Sequence, residues 1–336
     1  MIGVTDPATQ KPPQRATIRM VAERAGVSTA TVSYVLRGAN VPISEATAAR
    51  VRRAAETLGY RANSAAQAMR TGSNGLLLLS LQVIGDPWAL AVQESISRVA
   101  SANGLTALIQ ADGDWYETAR RVQPDLLYID NPEDDDAPRL TEMARAGQRI
   151  VAMSDTLEPR GFDVVRSLAG PGAALVMEHV TTLTGDVAYL GRGEATRQGD
   201  RRRAYLDAVD AGRVSARRLL DYDGSRTDAF RTAQRCLTRP DRPRAIVCNT
   251  DYAALAAIQA AQSLGLRVPQ DVYVAGLGNT PAGASSSPSL TTAGPRDFFE
   301  AQAKLLVRAA TGAGTPGTMH DFTWQLFVRE STRPTR

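Results

Sequence analysis

TIRMVAERAGVSTATVSYVLRG, residues 17–38, followed by VPISEATAARVRRAAETLGY, residues 41–60, is the stretch that decides the reading of this chain. Thr17 can cap a short helix whose apolar positions Ile18, Val21, Ala22 and Ala25 follow helical spacing. Gly26 supplies the permissive backbone of a tight turn, and Val27 can plug the core beneath it. Ser28 is a good cap for a second helix, Thr29 to Arg37, expected to bury Val32, Val35 and Leu36. Ser44 caps a third helix, in which Val51, Ala54, Ala55 and Leu58 recur at i, i+3, i+4 and i+7 before Gly59. Two short helices joined by a glycine turn, with a third packed across them, form a helix-turn-helix, whose second helix enters the major groove of DNA.

Charge supports a polyanionic partner. Residues 15–70 hold nine arginines against three glutamates, a balance of +6, whereas the whole chain carries +4, so residues 71–336 sum to −2. A basic head on a slightly acidic body is the electrostatic footprint of nucleic-acid binding.

Working outward, Leu58-Gly59-Tyr60 and Asn63 complete a longer pattern with Ala25-Gly26-Val27-Ser28 and Thr31-Val32-Ser33. In register, these resemble the DNA-binding head of the LacI/GalR family of transcriptional regulators. The resemblance implies base contacts from Thr29, Ala30 and Tyr34, with Ser28, Thr31 and Ser33 serving as phosphate contacts or caps. Many relatives carry an arginine where this chain has Tyr34, so its base preference should differ from theirs. Residues 63–70 match the family's hinge helix, which folds on DNA and implies contacts from Asn63, Ala66, Gln67 and Met69. Met69 stands at the place of a leucine that wedges between base pairs, and the wedge is the favoured reading over packing between two hinge helices. Paired hinges imply a homodimer on a pseudo-palindromic operator. No apolar heptad tail follows, so no coiled-coil tetramer is expected.

The body reads as α/β. Apolar runs at 76–81, 125–130, 149–154, 187–191, 245–249 and 272–278 alternate with helical stretches, which implies parallel sheets with both faces covered. Its length of about 260 residues suits two lobes. Asp86-Pro87-Trp88, the run 268–272 (VPQDV), the run 288–292 (PSLTT) and a closing strand at 328–332 (VREST) resemble the same family. The fold class expected is therefore an all-α helix-turn-helix head plus an α/β two-lobed periplasmic-binding-protein-like body. The expected boundaries are a tail at 1–16, the head at 17–61, hinge and linker at 62–74, and the body at 75–332. Within the body the first lobe takes 75–167 and 295–321, and the second 168–294 and 322–332.

A ligand cleft between such lobes is expected at the strand ends. The resemblance places Asp155, Arg201 and Asp251 at effector positions, with Asp86 and Trp88 at the mouth. Arg201 could clamp a carboxylate or pair hydroxyls, and Trp88 could stack a ring. Asp155 and Asp251 read equally well as helix caps after strands. Three family polar positions are altered: Leu168-Ala169 replace Asp-Asn, Thr250 replaces Asn, and Gly278 replaces Asp. Each buried polar group of a sugar left unpaired costs about 1–3 kcal/mol, so an ordinary sugar effector is not expected. A more apolar effector, or none at all, remains open.

Other chemistries find no support. Gly191-Arg192-Gly193 lacks its third glycine at Thr196, so a dinucleotide fingerprint fails. His179 and His320 are isolated, and two cysteines, Cys236 and Cys248, form neither a disulfide framework nor a metal set. No nucleophilic triad is suggested, so no enzyme, catalytic residue, metal or cofactor is expected. Residues 1–16 lack the apolar core of a signal peptide, and the longest apolar run is too short for a membrane span. A cytoplasmic location follows, and a solute-binding protein or enzyme built on the body alone is disfavoured. Asp134–Asp136 reads as a solvated loop.

Overall fold

Three helices make the head, each begun by the hydroxyl its sequence offers. In the computed structural model, which describes residues 16–37, 41–60, 72–81, 86–111, 113–193 and 199–333, they are α1 (Ile18–Ala25), α2 (Thr29–Arg37) and α3 (Glu45–Thr57). Thr17 Oγ1 accepts from the Met20 N–H, Ser28 Oγ from Thr31, and Ser44 Oγ from Thr47. Gly26 closes α1 at φ 64°, a left-handed conformation in which a side chain would be strained. Val21, Ala22, Ala25, Val32, Val51, Ala54 and Ala55 form the small core. Leu36 is not in it: the residue is 36% exposed, because the arc of α2 facing α1 and α3 is filled by Val32 and flanked by Val35.

The chain divides into two compact units, residues 1–74 and 75–336. The second unit contains two six-stranded sheets. The first comprises β1 (Leu76–Ser80), β2 (Thr106–Gln110), β3 (Leu126–Asp130), β4 (Ile150–Met153), β5 (Asp163–Arg166) and β11 (Met319–Asp321), in the order β11-β5-β4-β3-β1-β2. The second comprises β6 (Val187–Gly191), β7 (Leu219–Asp221), β8 (Ala245–Cys248), β9 (Tyr273–Leu277), β10 (Thr291–Pro295) and β12 (Trp324–Phe327), in the order β12-β10-β9-β8-β6-β7. Every pairing is parallel except β10 with β12.

Both faces of each sheet are covered, which is why the strands read as continuous apolar runs. On the first, Leu77 and Leu79 pack against α4 (Pro87–Ala102) and α12 (Phe298–Ala310), while Leu78 and Leu127 pack against α5 (Trp115–Val122) and α6 (Ala137–Arg145). On the second, Tyr189 and Val247 face α7 (Ala169–Leu183) and α8 (Gly199–Asp210), and Ile246 and Val274 face α9 (Arg226–Leu237) and α10 (Asp251–Ser263).

The lobes are joined between β5 and α7, between β10 and α12, and between β11 and β12. Arg166 and Asp321, at the ends of β5 and β11, bind each other through two hydrogen bonds of 2.7 and 2.8 Å, tying two of the three connections together. Two sequence expectations change here. The closing strand is Trp324–Phe327, and Glu330–Thr332 instead forms a 3-10 turn whose Ser331 Oγ donates to the Val274 carbonyl and accepts from the Thr291 N–H. Asp134–Asp136 likewise forms a 3-10 turn leading into α6.

Trp324 enters the second lobe over Gly172 of α7. A Cβ at Gly172 would lie 2.2 Å from Trp324 Cε3 and 2.8 Å from its Cβ, so the whole indole would have to move. Gly172→Ala is therefore expected to cost at least about 1–3 kcal/mol, the usual cost of overpacking, read as a lowered urea midpoint. A midpoint equal to that of the wild type would show that Trp324 is not fixed there.

Candidate functional site

On the head, α2 holds its exposed polar face clear of the core. Thr29, Ala30 and Tyr34 are exposed, Tyr34 by 42%, and Ser33 is half-buried within the same arc. Ser28 and Thr31 are engaged with each other, hydroxyl to hydroxyl at 2.9 Å, while Ser28 also caps the helix. Of the arginines on α3, Arg52 pairs with Glu45 at 2.9 Å across a well-exposed surface, and Arg50 reaches the Ala25 carbonyl at 3.4 Å. An exposed ion pair is weak, so Arg52 stays available to phosphate. Asn63, Ala66, Gln67 and Met69 lie outside the described residues.

In the body, strand order decides where a ligand could sit. In the first lobe the chain runs from β1 to β2 on one side, then to β3 on the other, so the loops after β1 and β3 diverge. The second lobe repeats this at β6 and β8. Crevices open at such reversals. Residues after all four strands line one cavity of about 290 Å³ between the lobes. It gathers Asp86, Trp88, Asp155, Arg201 and Asp251, and also Asp130, Arg192, Asp200, Tyr222 and Tyr252, which the sequence had not assigned to the cleft.

The carboxylates differ sharply in what they do. Asp155 Oδ1 accepts from the backbone N–H groups of Ser167 at 2.7 Å and Leu168 at 3.2 Å, and Oδ2 accepts from Ala169 N–H and the Ser167 hydroxyl. These bonds hold the first connection, where Leu168 takes a left-handed φ of 51°. Asp251, 1% exposed, accepts from Thr280 N–H at 2.7 Å, Thr280 Oγ1 at 2.9 Å and Thr292 Oγ1 at 2.5 Å. Asp86 uses Oδ1 to cap α4 at the Trp88 N–H. Burial raises the Asp86 pKa against the effects of that bond and of Arg201. Asp130 accepts no hydrogen bond and forms no ion pair among the described residues, and burial together with the charge of Asp86 raises its pKa to about 7.

Arg201 of α8 donates Nη1–H to the Asn249 carbonyl at 2.7 Å and lies over the Trp324 ring at 5.3 Å. That stacking orients the guanidinium while its remaining N–H groups make no hydrogen bond among the described residues. Trp88 is held by Phe298 and Phe299, with ring centroids 4.8 and 4.9 Å away. Its far edge lies where a Cβ on Gly278 would meet Cε3 at 3.6 Å, and Gly278 has φ 138°. The exchange of Asp for Gly noted in the sequence thus permits a backbone that side chains rarely adopt, beside an indole from the opposite lobe. Asp130 was legible in principle. It closes the apolar run DLLYID, and a polar residue at the carboxyl end of a parallel strand faces the crevice.

Comparison with known proteins agrees with this geometry. Residues 17–63 match the lacI family of bacterial regulatory proteins, and residues 185–332 match the periplasmic binding protein-like domain. The HTH-type transcriptional repressor PurR of Erwinia tasmaniensis is 29% identical over 294 residues, covering 82% of this chain and 84% of the relative. PurR of Yersinia pestis is 28% identical over 292 residues, with the same coverage. Among solved structures, the Lac repressor dimer bound to operator and the anti-inducer ONPF aligns with a TM-score of 0.73 at 23% identity, over 95% of this chain and 99% of that one. The transcriptional regulator CelR in complex with cellobiose aligns with a TM-score of 0.60 at 23% identity, over 94% of this chain and 100% of that one. With a lacI-type helix-turn-helix at its N-terminal end and a two-lobed periplasmic-binding-protein-like body following it in the chain, the protein belongs to the LacI family of transcriptional regulators.

Proposed function

We propose that this protein is a cytoplasmic repressor that binds a pseudo-palindromic operator as a homodimer and responds to a small molecule in the interlobe cavity. The observation that carries DNA binding is the exposed Thr29, Ala30 and Tyr34 face of α2 on a head of charge +6. Tyr34 reads bases through its ring and hydroxyl, Thr29 and Ala30 touch thymine methyls, and Ser28, Thr31 and Ser33 position the helix. Asn63, Ala66, Gln67 and Met69 follow in the minor groove, with Met69 at the central step. The PurR relatives are repressors by name, and the Lac repressor of similar fold is a dimer on its operator. Dimerisation is supported by the edge strand β2, where Ile109 is 38% exposed beside α4, which leaves Leu90 46% exposed. Among the described residues no helix is long and apolar enough to cross a membrane.

The effector we infer is not an ordinary sugar, since Asp155 and Asp251 direct their oxygens at N–H and O–H groups of the fold. Those same bonds favour a second reading, a regulator whose operator binding ignores small molecules. A metabolite-library thermal-shift screen coupled to operator binding separates the two.

Selection of bound duplexes from a random pool tests the DNA reading. Two half-sites related by a dyad are expected, and Tyr34→Ala should relax or shift one base position by about 1–3 kcal/mol of discrimination. An unchanged preference in that variant, or selected sites without symmetry, would remove α2 as the reading helix.

A further inference from the structure

The two walls of the cavity differ in charge: the first lobe's carries carboxylates and no cation, whereas the second lobe's carries two arginines beside Asp200 and Asp251. On the first lobe, Asp86 stands at the end of the loop after β1 and Asp130 at the carboxyl end of β3. Arg201 and Arg192 stand on the second. What separates these four side chains from Asp155 and Asp251 is that the fold leaves them capacity. Asp130 has both oxygens uncommitted among the described residues, Asp86 has one, and Arg201 uses a single N–H. A neutral polyol would leave the two carboxylates repelling each other in a half-dry space. A dicarboxylate would add to that repulsion, and a diamine would face the arginines. Only a molecule of both signs satisfies both walls.

We propose that the cavity takes a small zwitterion of amino-acid type, its protonated amine between Asp86 and Asp130 and its carboxylate on the guanidinium of Arg201. The proposal rests on the reading of the body as an effector-binding unit and names the ligand class of that site. The size agrees: about 290 Å³ lies at the lower end of the range for ligand pockets and suits a small metabolite. Trp88 beside the carboxylate pair offers an apolar edge to the ligand's carbon chain. Arg201, steadied by the Trp324 ring and the Asn249 carbonyl, presents a fixed donor face to the other end.

The amine must meet an ionised Asp130, whose carboxyl is otherwise half-protonated near neutrality. The titratable and charged groups around it are Asp86 at the start of α4, the neutral phenol of Tyr128 on its own strand and Asp155 after β4, with Arg201, Arg192, Asp200 and Asp251 across the cavity. Burial raises the Asp130 pKa most, and of these groups Asp86 adds to it. Binding therefore expels a proton, and affinity falls about tenfold from pH 8 to pH 6.

The test is isothermal titration of the full-length protein with L-lysine, L-leucine and 4-aminobutyrate, beside cadaverine, adipate and D-glucose as probes lacking one or both charges. At least one amino acid is expected to bind, with every probe that carries charge of one sign only, or none, weaker by at least about tenfold. Asp130→Asn should weaken that amino acid by a similar factor and flatten its pH dependence. Proton release on the wild type, read in buffers of different ionisation enthalpy, detects the same ionisation without any variant. Binding of glucose in preference to every amino acid, or binding with no proton release, would overturn the assignment, as would the absence of any amino-acid binding up to about 10 mM. The library screen is indifferent to charge, so it judges the effector reading separately.

Discussion

Replacing Asp251 by alanine is expected to destabilise the body by about 3–5 kcal/mol, the largest single-residue effect foreseen for this chain. Its carboxylate joins three parts of the second lobe: the start of α10, the turn at Thr280 after β9, and Thr292 on β10. Truncation removes the acceptor for one backbone N–H and two hydroxyls, all in a region that excludes water. Gly276 shows how closely the niche is cut, since a Cβ there would sit 2.6 Å from Asp251 Oδ1. Asp251→Asn keeps one acceptor oxygen but turns an amide N–H₂ towards donors, so an intermediate loss is expected. Chemical denaturation of both variants checks this, with hydrogen exchange locating the loss in the second lobe. A loss below about 1 kcal/mol for the alanine variant would mean that the three donors find other partners. The pair also separates roles, because loss of effector response in Asp251→Ala alone would reflect the fold rather than a ligand contact.

The second large effect is a dependence of stability on pH set by Asp130. Burial and the neighbouring Asp86 raise its folded-state pKa to about 7, against an ordinary value near 3.8 for the unfolded chain. Between those values the folded protein holds a proton that the unfolded chain has released. Stability from this group is therefore complete below about pH 4 and is lost as pH rises through 7, by on the order of 4 kcal/mol in total. The direction is opposite to that of Asp271, whose pKa is lowered to about 2 by Arg267 and which supports the fold only above the ordinary aspartate range. Asp130→Asn removes the titrating group. Subtracting its denaturation profile from that of the wild type between pH 4 and 8 should leave a curve that falls with pH. A flat or rising difference would show that Asp130 ionises freely and would withdraw its part in the cavity chemistry.

Much of the architecture was legible because local physics produces it. The caps at Thr17, Ser28 and Ser44 form as their spacing implies, since a hydroxyl at a helix start meets N–H groups only three residues away. The long apolar runs became the central strands, as strands buried on both faces must. Short edge elements did not announce themselves. β7 and β11 hold three residues each, and the edge strand β2 leaves Thr106 exposed on one face and Ile109 on the other, so none shows a sustained pattern. Leu36 was misplaced for a related reason: spacing gives a helix an apolar face but not how much of it a three-helix core can cover.

By itself the sequence determined a basic, capped three-helix head and an α/β body, because caps, glycine turns and apolar period act over a few residues and need no distant partner. The tertiary structure alone decided which polar side chains are free to act. Asp155, Asp251, Asp86 and Asp130 are the same residue type at the ends of strands, or in the loops that follow them. The first two are surrounded by backbone and hydroxyl donors brought from 12 to 41 residues away, whereas Asp130 meets only another carboxylate. A carboxylate's chemistry is set by the donors and charges that folding places around it, and those lie too far along the chain for local pattern to show.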